Sequence, residues 1–495
     1  MDDAVPTPPR PARGFMLDSA RGQESRAYYR RFIDFAAARG MNTLLWHFTD
    51  DQGCSLRLDA VPGIASPDAY TKAEMRELVR YARDRGVDVV PELASLGHSR
   101  YLTRLPAYRH LSEADGAHFT GMCPVSHETR RVVRALIEEV ADVFDGPNLH
   151  VGLDEVNIGG HPLTRAALRT RTRGDLLADY ATFVHSVVAG VGKRMWMWGD
   201  GLLAHPEMLD RVPRAVVICN WQYTPDAPPA TTRTLLDAGF DVMLCSALIS
   251  HDQPLFPGQR FAVPNVHAMQ AQQSLAGRGR VLGHVNTIWT PVRFIADSLW
   301  LGIDLTATAL SGGDADAQPR TFGETLHGLT GDAAARFAEA ARLLLDGAPL
   351  REEWFAIAKM ARLSPAALSR ATVAAERLST VQSLLVSVAP SVRLHAVEYR
   401  ALALLVEVLA HTYNVAVRLA DRFPTPATLA RLLDRSETLL AAVDADWDRE
   451  RFADDPRKYV APVPSFQDGH LIPLLQQGVA QLRARAATVP RLAAV

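Results

Sequence analysis

Along the first 300 residues, short apolar runs alternate with stretches whose apolar residues recur every three or four positions. The runs 15–17, 43–48, 87–91, 149–153, 194–198, 215–221, 241–245 and 282–289 have strand length, and their near-continuous apolarity predicts strands covered on both faces. Between them, 25–39, 72–85, 128–144, 175–190 and 230–238 carry the period of amphipathic helices. Strand–helix alternation predicts a parallel sheet, and eight strands in roughly 300 residues favour a closed (β/α)8 barrel. An open doubly wound sheet is the alternative, but no Gly-x-Gly-x-x-Gly opens a helix here to support it.

Near Ser311-Gly312-Gly313-Asp314 the pattern changes, and beyond it only helical spacing is found, over 333–345, 352–363, 366–388, 394–422, 426–443 and 470–486. The expected organisation is a disordered tail at 1–12, a catalytic α/β TIM barrel at 13–320 and an all-α C-terminal domain at 321–495. That domain would pack on the barrel or on a second copy, giving a homodimer. Trp354 and Trp447 within it read as core.

Composition adds mainly exclusions. With 48% hydrophobic and 22% charged residues the chain resembles an ordinary globular protein. A net charge of -2 gives no reason to expect nucleic acid or an anionic membrane as partner. No uninterrupted apolar run approaches the ~20 residues of a membrane span. The opening residues, with acids and four prolines, do not read as a secretory signal. With only four cysteines and no metal-type spacing, reduced thiols in a cytoplasmic protein are expected, a mature chain cleaved from a precursor being the alternative.

The most informative stretch is His150-Val151-Gly152-Leu153-Asp154-Glu155, which places two adjacent acids at the carboxyl end of the fourth run. Neighbouring strand residues face opposite ways, so both acids can serve one pocket only where strand gives way to loop. Other strand ends carry Asp18, His47 with Asp50 and Asp51, Glu92 with His98, Trp198 with Asp200, Trp221 with Tyr223, and Trp289. Trp198, Trp221 and Trp289 could box a pyranose, whose C–H faces are apolar. A metal centre is not expected, because His47, Asp50, His98 and His150 lack close ligand spacing.

Several ordered segments carry a resemblance. The run Arg13-Gly14-Phe15-Met16-Leu17-Asp18-Ser19-Ala20-Arg21, the segment His47 to Gly53 ending Asp-Asp-Gln-Gly, and Tyr70-Thr71-Lys72-Ala73-Glu74 come first. Pro91-Glu92 with Gly97-His98, Cys123-Pro124 with His127-Glu128-Thr129, and His150 to Glu155 follow. Together they resemble the catalytic barrel of glycoside hydrolase family 20, the β-N-acetylhexosaminidases, closely over 13–200 and loosely to 300. The resemblance implies an exo-acting hydrolase of amino-sugar glycosides or oligosaccharides that needs no cofactor and uses the substrate's 2-acetamido oxygen as nucleophile. It implies Glu155 as general acid and then base, and Asp154 as the partner of the acetamido N–H and of the oxazolinium. Arg13 and Asp50 match sugar-hydroxyl positions. His98 and His150 match the site's histidines, and Trp198, Trp221 and Trp289 its aromatic walls. Three departures stand out: Ala94 where an Asp usually supports the histidine, Pro291 where a Glu usually binds a distal hydroxyl, and no Tyr on the seventh strand, a hydroxyl Tyr223 could supply. Two rivals remain at this level: a two-carboxylate glycosidase with Glu92 or Asp200 beside Glu155, and a catalytically idle sugar-binding barrel.

Overall fold

The computed structural model describes residues 11–113, 121–250, 256, 261–347, 351–420, 424–453, 455–460 and 470–492. Of the expected tail, residues 1–10 lie outside these. Eight parallel strands close into a barrel in which each pairs with its sequence neighbours and the last with the first. They are β1 (Ala12–Asp18), β2 (Thr43–His47), β3 (Asp88–Glu92), β4 (Asn148–His150), β5 (Arg194–Trp198), β6 (Val217–Trp221), β7 (Asp241–Ile249) and β8 (Val281–Ile288). All eight apolar runs became strands, because a barrel strand is buried against the interior on one face and a helix on the other.

The outer helices begin where the local chemistry specifies. In α1 (Arg26–Ala38) Ser25 accepts from the Tyr28 amide, and in α2 (Lys72–Arg83) Thr71 and Glu74 form a reciprocal capping box. Then follow α3 (His127–Val143), α4 (Arg173–Gly190), α5 (Ala230–Asp237), α6 (Ala262–Gln270) and α7 (Trp300–Leu310). The α7 helix carried no amphipathic signal because nearly every residue from Trp300 to Leu310 is buried.

Inside the barrel, Met16, Leu45, Val90, Trp196, Trp198, Val217, Cys219, Met243, Cys245 and Val285 form a separate core. Two residues further along three of these strands, the inward positions become Asp18, His47 and Glu92, all buried. With a side-chain period of two, the packed interior thus ends in a polar layer at the carboxyl end, where barrel sites form.

The C-terminal helices are α8 (Gln318–His327), α9 (Gly331–Asp346), α10 (Arg351–Ala358), α11 (Pro365–Val388), α12 (Ala396–Ala420), α13 (Pro426–Glu450) and α14 (Leu471–Leu492). They pack on the barrel of the same chain: the Arg31 guanidinium of α1 meets Asp297 and Glu450 at 3.0 Å each. By length and apolarity α12 could cross a membrane. Its Leu402, Leu405, Val406, Leu409 and Tyr413 are instead buried in the bundle, as are Trp354 and Trp447.

Candidate functional site

The β4 ladder ends at His150, three residues earlier than the apolar run predicts. Gly152 (φ 67°), Leu153 (φ 72°) and Glu155 (φ 48°) then take left-handed backbone conformations, which turn the chain outward. His98 (φ 48°) and Thr290 (φ 58°) do the same beyond β3 and β8. Left-handed non-glycine residues cost roughly 1–2 kcal/mol each, and such strain clusters at functional sites. Gly97 permits one close approach, since a Cβ there would lie 2.3 Å from the Asp154 carbonyl oxygen. Gly97-His98 therefore seats the imidazole against the acid pair.

His98 is the hub of the mouth. Its Nε2 stands 3.3 Å from both the Asp154 and Glu155 carboxylates, and its Nδ1 3.3 Å from Asp50 and Asp51. Burial opposes a charge on the ring, but Asp154, Asp50 and Asp51 outweigh it and hold the pKa well above 6.5. Asp154 is likewise held below the usual carboxylate range by His98 against its own desolvation. Support for the imidazole thus comes from the β2 loop, so the Ala94 departure leaves His98 anchored. Ala94 instead gives its N–H to Thr49 Oγ1 at 2.7 Å. Glu155 is 44% exposed at its side chain and open to the mouth, unlike the acids around it.

Asp200, opening the short helix Asp200–Ala204, ties the acid loop to the aromatic wall. One oxygen accepts the Glu155 amide at 2.9 Å, and the other faces Trp221 Nε1 at 3.3 Å. Burial and the nearby Asp154 charge push its pKa up to about 6.

The aromatic residues do not form three equal walls. Trp198 is buried beneath the mouth, its indole N–H on Glu92 at 2.7 Å and its ring 6.2 Å from Trp289, so it is a floor. Trp221 packs on Tyr223 at 5.1 Å, and Trp289 donates its indole N–H to the Tyr223 hydroxyl at 3.0 Å. Tyr223 therefore stands between two aromatic sides of the site. Glu92 is fully buried between Trp198 and His47, whose Nδ1 is 3.0 Å away. Burial opposes its ionisation, but His47 and His150 hold it below the usual range. His150 accepts the Gly152 amide on Nδ1 at 3.0 Å, and burial lowers its pKa. It shapes the β4 turn from below.

Opposite the acid pair, Arg21 bridges Asp18 (2.8 Å) and Asp50 (2.7 Å), and its guanidinium lies 5.2 Å from the Trp289 ring centroid. Burial works against Asp50 ionising, but Arg21 and His98 hold its pKa below the usual range. Thr290 donates its N–H to Asp18 at 2.9 Å. Arg13, in contrast, sits at the amino end of β1, lining a cleft with Asn42, Arg85, Asp88 and Trp196. The expectation that Arg13 holds sugar hydroxyls is corrected: it lies at the wrong end of its strand, and the guanidinium at the mouth is Arg21. The sequence did contain the signal, because Arg21 follows the strand's carboxyl end while Arg13 precedes its apolar run. Asp50, Asp51 and His98 also bring donors close enough to hold a cation, but Arg21 and Asp154 engage two of the three.

Comparison with known proteins supplies the remaining findings. Residues 11–273 match the model of the glycosyl hydrolase family 20 catalytic domain. A probable beta-hexosaminidase of Arthroderma benhamiae is 28% identical over 264 residues, covering 48% of this chain and 42% of that protein. A beta-hexosaminidase of Vibrio furnissii is 27% identical over 268 residues, covering 47% and 42%. The chain thus spans less than half the length of these curated relatives. Among solved structures, the beta-N-acetylhexosaminidase from Bacteroides fragilis NCTC 9343 superposes with a TM-score of 0.51 at 22% identity, over 60% of this chain and 65% of that one. The enzyme from Streptomyces coelicolor A3(2) gives 0.51 at 22% identity, over 68% and 70%; both likenesses concern the fold.

Proposed function

The chain belongs to glycosyl hydrolase family 20, and from that premise we propose that it is a β-N-acetylhexosaminidase releasing terminal N-acetylglucosamine or N-acetylgalactosamine by substrate-assisted retaining catalysis. The observation that carries this reading is the division among the carboxylates. Glu155 is open to the mouth, Asp154 is held ionised beside His98, and Glu92 is sealed under Trp198. A two-carboxylate mechanism needs a second acid able to reach the anomeric carbon or its water. Glu92 cannot, and Asp200 has both oxygens committed to the Glu155 amide and Trp221.

In the proposed first step, the 2-acetamido carbonyl oxygen attacks the anomeric carbon while Glu155 gives its proton to the departing glycosidic oxygen. The C–O bond to the aglycone breaks and a bicyclic oxazolinium remains. Asp154 accepts the acetamido N–H and stabilises the positive charge developing there, an electrostatic contribution paid in advance by the His98 pairing. Glu155, now ionised, takes a proton from water, whose oxygen opens the oxazolinium at the anomeric carbon with net retention. Arg21, Asp18 and Asp50 hold ring hydroxyls, Trp198 forms the floor under the ring, and Trp221, Tyr223 and Trp289 enclose the acetamido group.

The deciding experiment is a panel of aryl glycosides of N-acetylglucosamine, N-acetylgalactosamine, glucose and galactose. Turnover confined to the two acetamido sugars is expected. Comparable turnover of plain glucosides would establish a carboxylate nucleophile, and no turnover at all would favour an idle sugar-binding barrel.

A further inference from the structure

The helical region lies outside the family match, yet it reaches the site's edge. Arg457, buried just beyond α13, donates to the Ala20 carbonyl at 2.6 Å and is paired with Asp68 and Asp455. Ala20 immediately precedes Arg21. Arg451, also buried, donates to the Pro291 carbonyl at 2.8 Å and the Phe294 carbonyl at 3.3 Å, and pairs with Glu24 at 2.8 Å. Pro291 follows Thr290, which donates to Asp18, and lies two residues from Trp289. The backbones join as well, with Ser25 donating to the Glu450 carbonyl at 2.6 Å and Glu24 bridging Arg451. His470, preceding α14, stands 3.4 Å from the Gln52 side chain, and the Gln52 backbone N–H donates to Asp50.

These contacts fall on the loops after β8, β1 and β2, three adjacent strands. The same loops carry Trp289, Arg21 with Asp18, and Asp50. Buried loop carbonyls need donors, and those of Ala20, Pro291 and Phe294 accept from the helical region. The helical region supplies them as guanidinium forks, whose rigid geometry fixes direction as well as distance.

We propose that the C-terminal helical region completes the sugar-ring subsite: Arg457 and Arg451 are positioning residues that fix the loops bearing Arg21 and Trp289. This rests on the reading above that the mouth binds a sugar ring. The acid pair, on the far side of the mouth, is held by His98 and Asp200 and meets the Arg21 side through Asp50, which His98 faces at 3.3 Å. Disturbing either arginine should therefore loosen ring binding while leaving the proton-transfer machinery largely intact.

The test compares Arg457→Met, Arg457→Lys, Arg451→Met and Arg451→Lys in the full chain, using an aryl N-acetylglucosaminide and hydrogen–deuterium exchange. For the Met variants KM should rise about ten-fold or more with kcat within about three-fold, and the Lys variants should recover part of the loss. Exchange should quicken over 18–25 for Arg457→Met and over 289–295 for Arg451→Met, with 151–158 unchanged. If the Met variants do not fold, the Lys variants decide by the same two readouts. Folded variants with wild-type KM and wild-type exchange in those loops would overturn the proposal, as would a uniform rise in exchange or a loss confined to kcat. An inactive wild type would sink the activity reading alone, and the exchange contrast would still decide the positioning claim.

Discussion

Replacing Arg21 separates the structural reading of the site most sharply from one based on sequence alone. The guanidinium neutralises two buried carboxylates, Asp18 at 2.8 Å and Asp50 at 2.7 Å. At charge-centre separations of about 4 Å and an effective dielectric constant near 20, each attraction is about 4 kcal/mol. Desolvation offsets part of that, and breaking buried pairs by removing one partner costs about 3–5 kcal/mol. Arg21→Met should therefore lower Tm by roughly 3–8 °C at pH 7. The sign with pH follows from Asp50, whose pKa is depressed in the folded wild type. Its pairing contributes fully above the unfolded value near 3.8 and is lost as pH falls through the lower folded value. In the variant the Asp50 carboxylate loses its guanidinium and takes up a proton more readily, so the deficit should shrink as pH is lowered toward about 4. Arg21→Lys keeps a charge but not the fork, and kcat/KM on an aryl N-acetylhexosaminide should fall about 10–100-fold, or ~1.4–2.7 kcal/mol. Arg13→Ala should stay within about two-fold of wild type. If Arg13→Ala, well folded, loses as much kcat/KM as Arg21→Lys, the assignment of the sugar-facing guanidinium is wrong.

Glu155→Gln should slow substrates with poor leaving groups far more than activated aryl glycosides, by about 10²–10⁴-fold for the former; equal losses in both classes would reject its role as proton donor. A thiazoline mimic of the bicyclic intermediate should inhibit competitively and more tightly than the product sugar, and Asp154→Asn should weaken that inhibitor more than it raises KM, whereas a trapped sugar–carboxylate adduct would point to direct nucleophilic attack. With Pro291 offering no carboxylate, and its carbonyl taken by Arg451, discrimination at the distal hydroxyls should be modest. The kcat/KM values for matched N-acetylglucosaminides and N-acetylgalactosaminides should lie within about 100-fold, and a ratio beyond roughly a thousand would show that another group makes the missing contact. Because its acidic neighbours raise the His98 pKa, that pairing stabilises the fold fully below about pH 6.5 and is withdrawn as pH rises through the higher folded value. The Tm difference between wild type and His98→Gln should accordingly narrow on the alkaline side, and a difference that widens as pH rises would contradict it.

What could be read from the chain alone is what local periodicity encodes. A strand buried on both faces leaves an apolar run, an amphipathic helix leaves a 3.6-residue stripe, and their alternation leaves few architectures besides the barrel. The pairing of Asp154 with Glu155 at a strand's carboxyl end, and Gly97 before His98, were legible for the same reason, since each is a short-range pattern with a geometric cause. The α7 helix was not, because a helix buried all round has no stripe.

The tertiary structure decided everything that depends on which end and which face a residue occupies, and on which distant segment it meets. Arg13 and Arg21 belong to one nine-residue run, but closing the barrel leaves the first at the amino end and sets the second between Asp18 and Asp50. Glu92 and Glu155 are the same residue type at successive strand ends, yet the inward pleat seals one beneath Trp198 while a left-handed turn exposes the other. The helical region shows no site chemistry as sequence, and Arg457 meets the Ala20 carbonyl only across 437 positions of chain. No local spacing carries such a contact. It exists because packing the bundle against β8, β1 and β2 buries loop carbonyls that must then find donors.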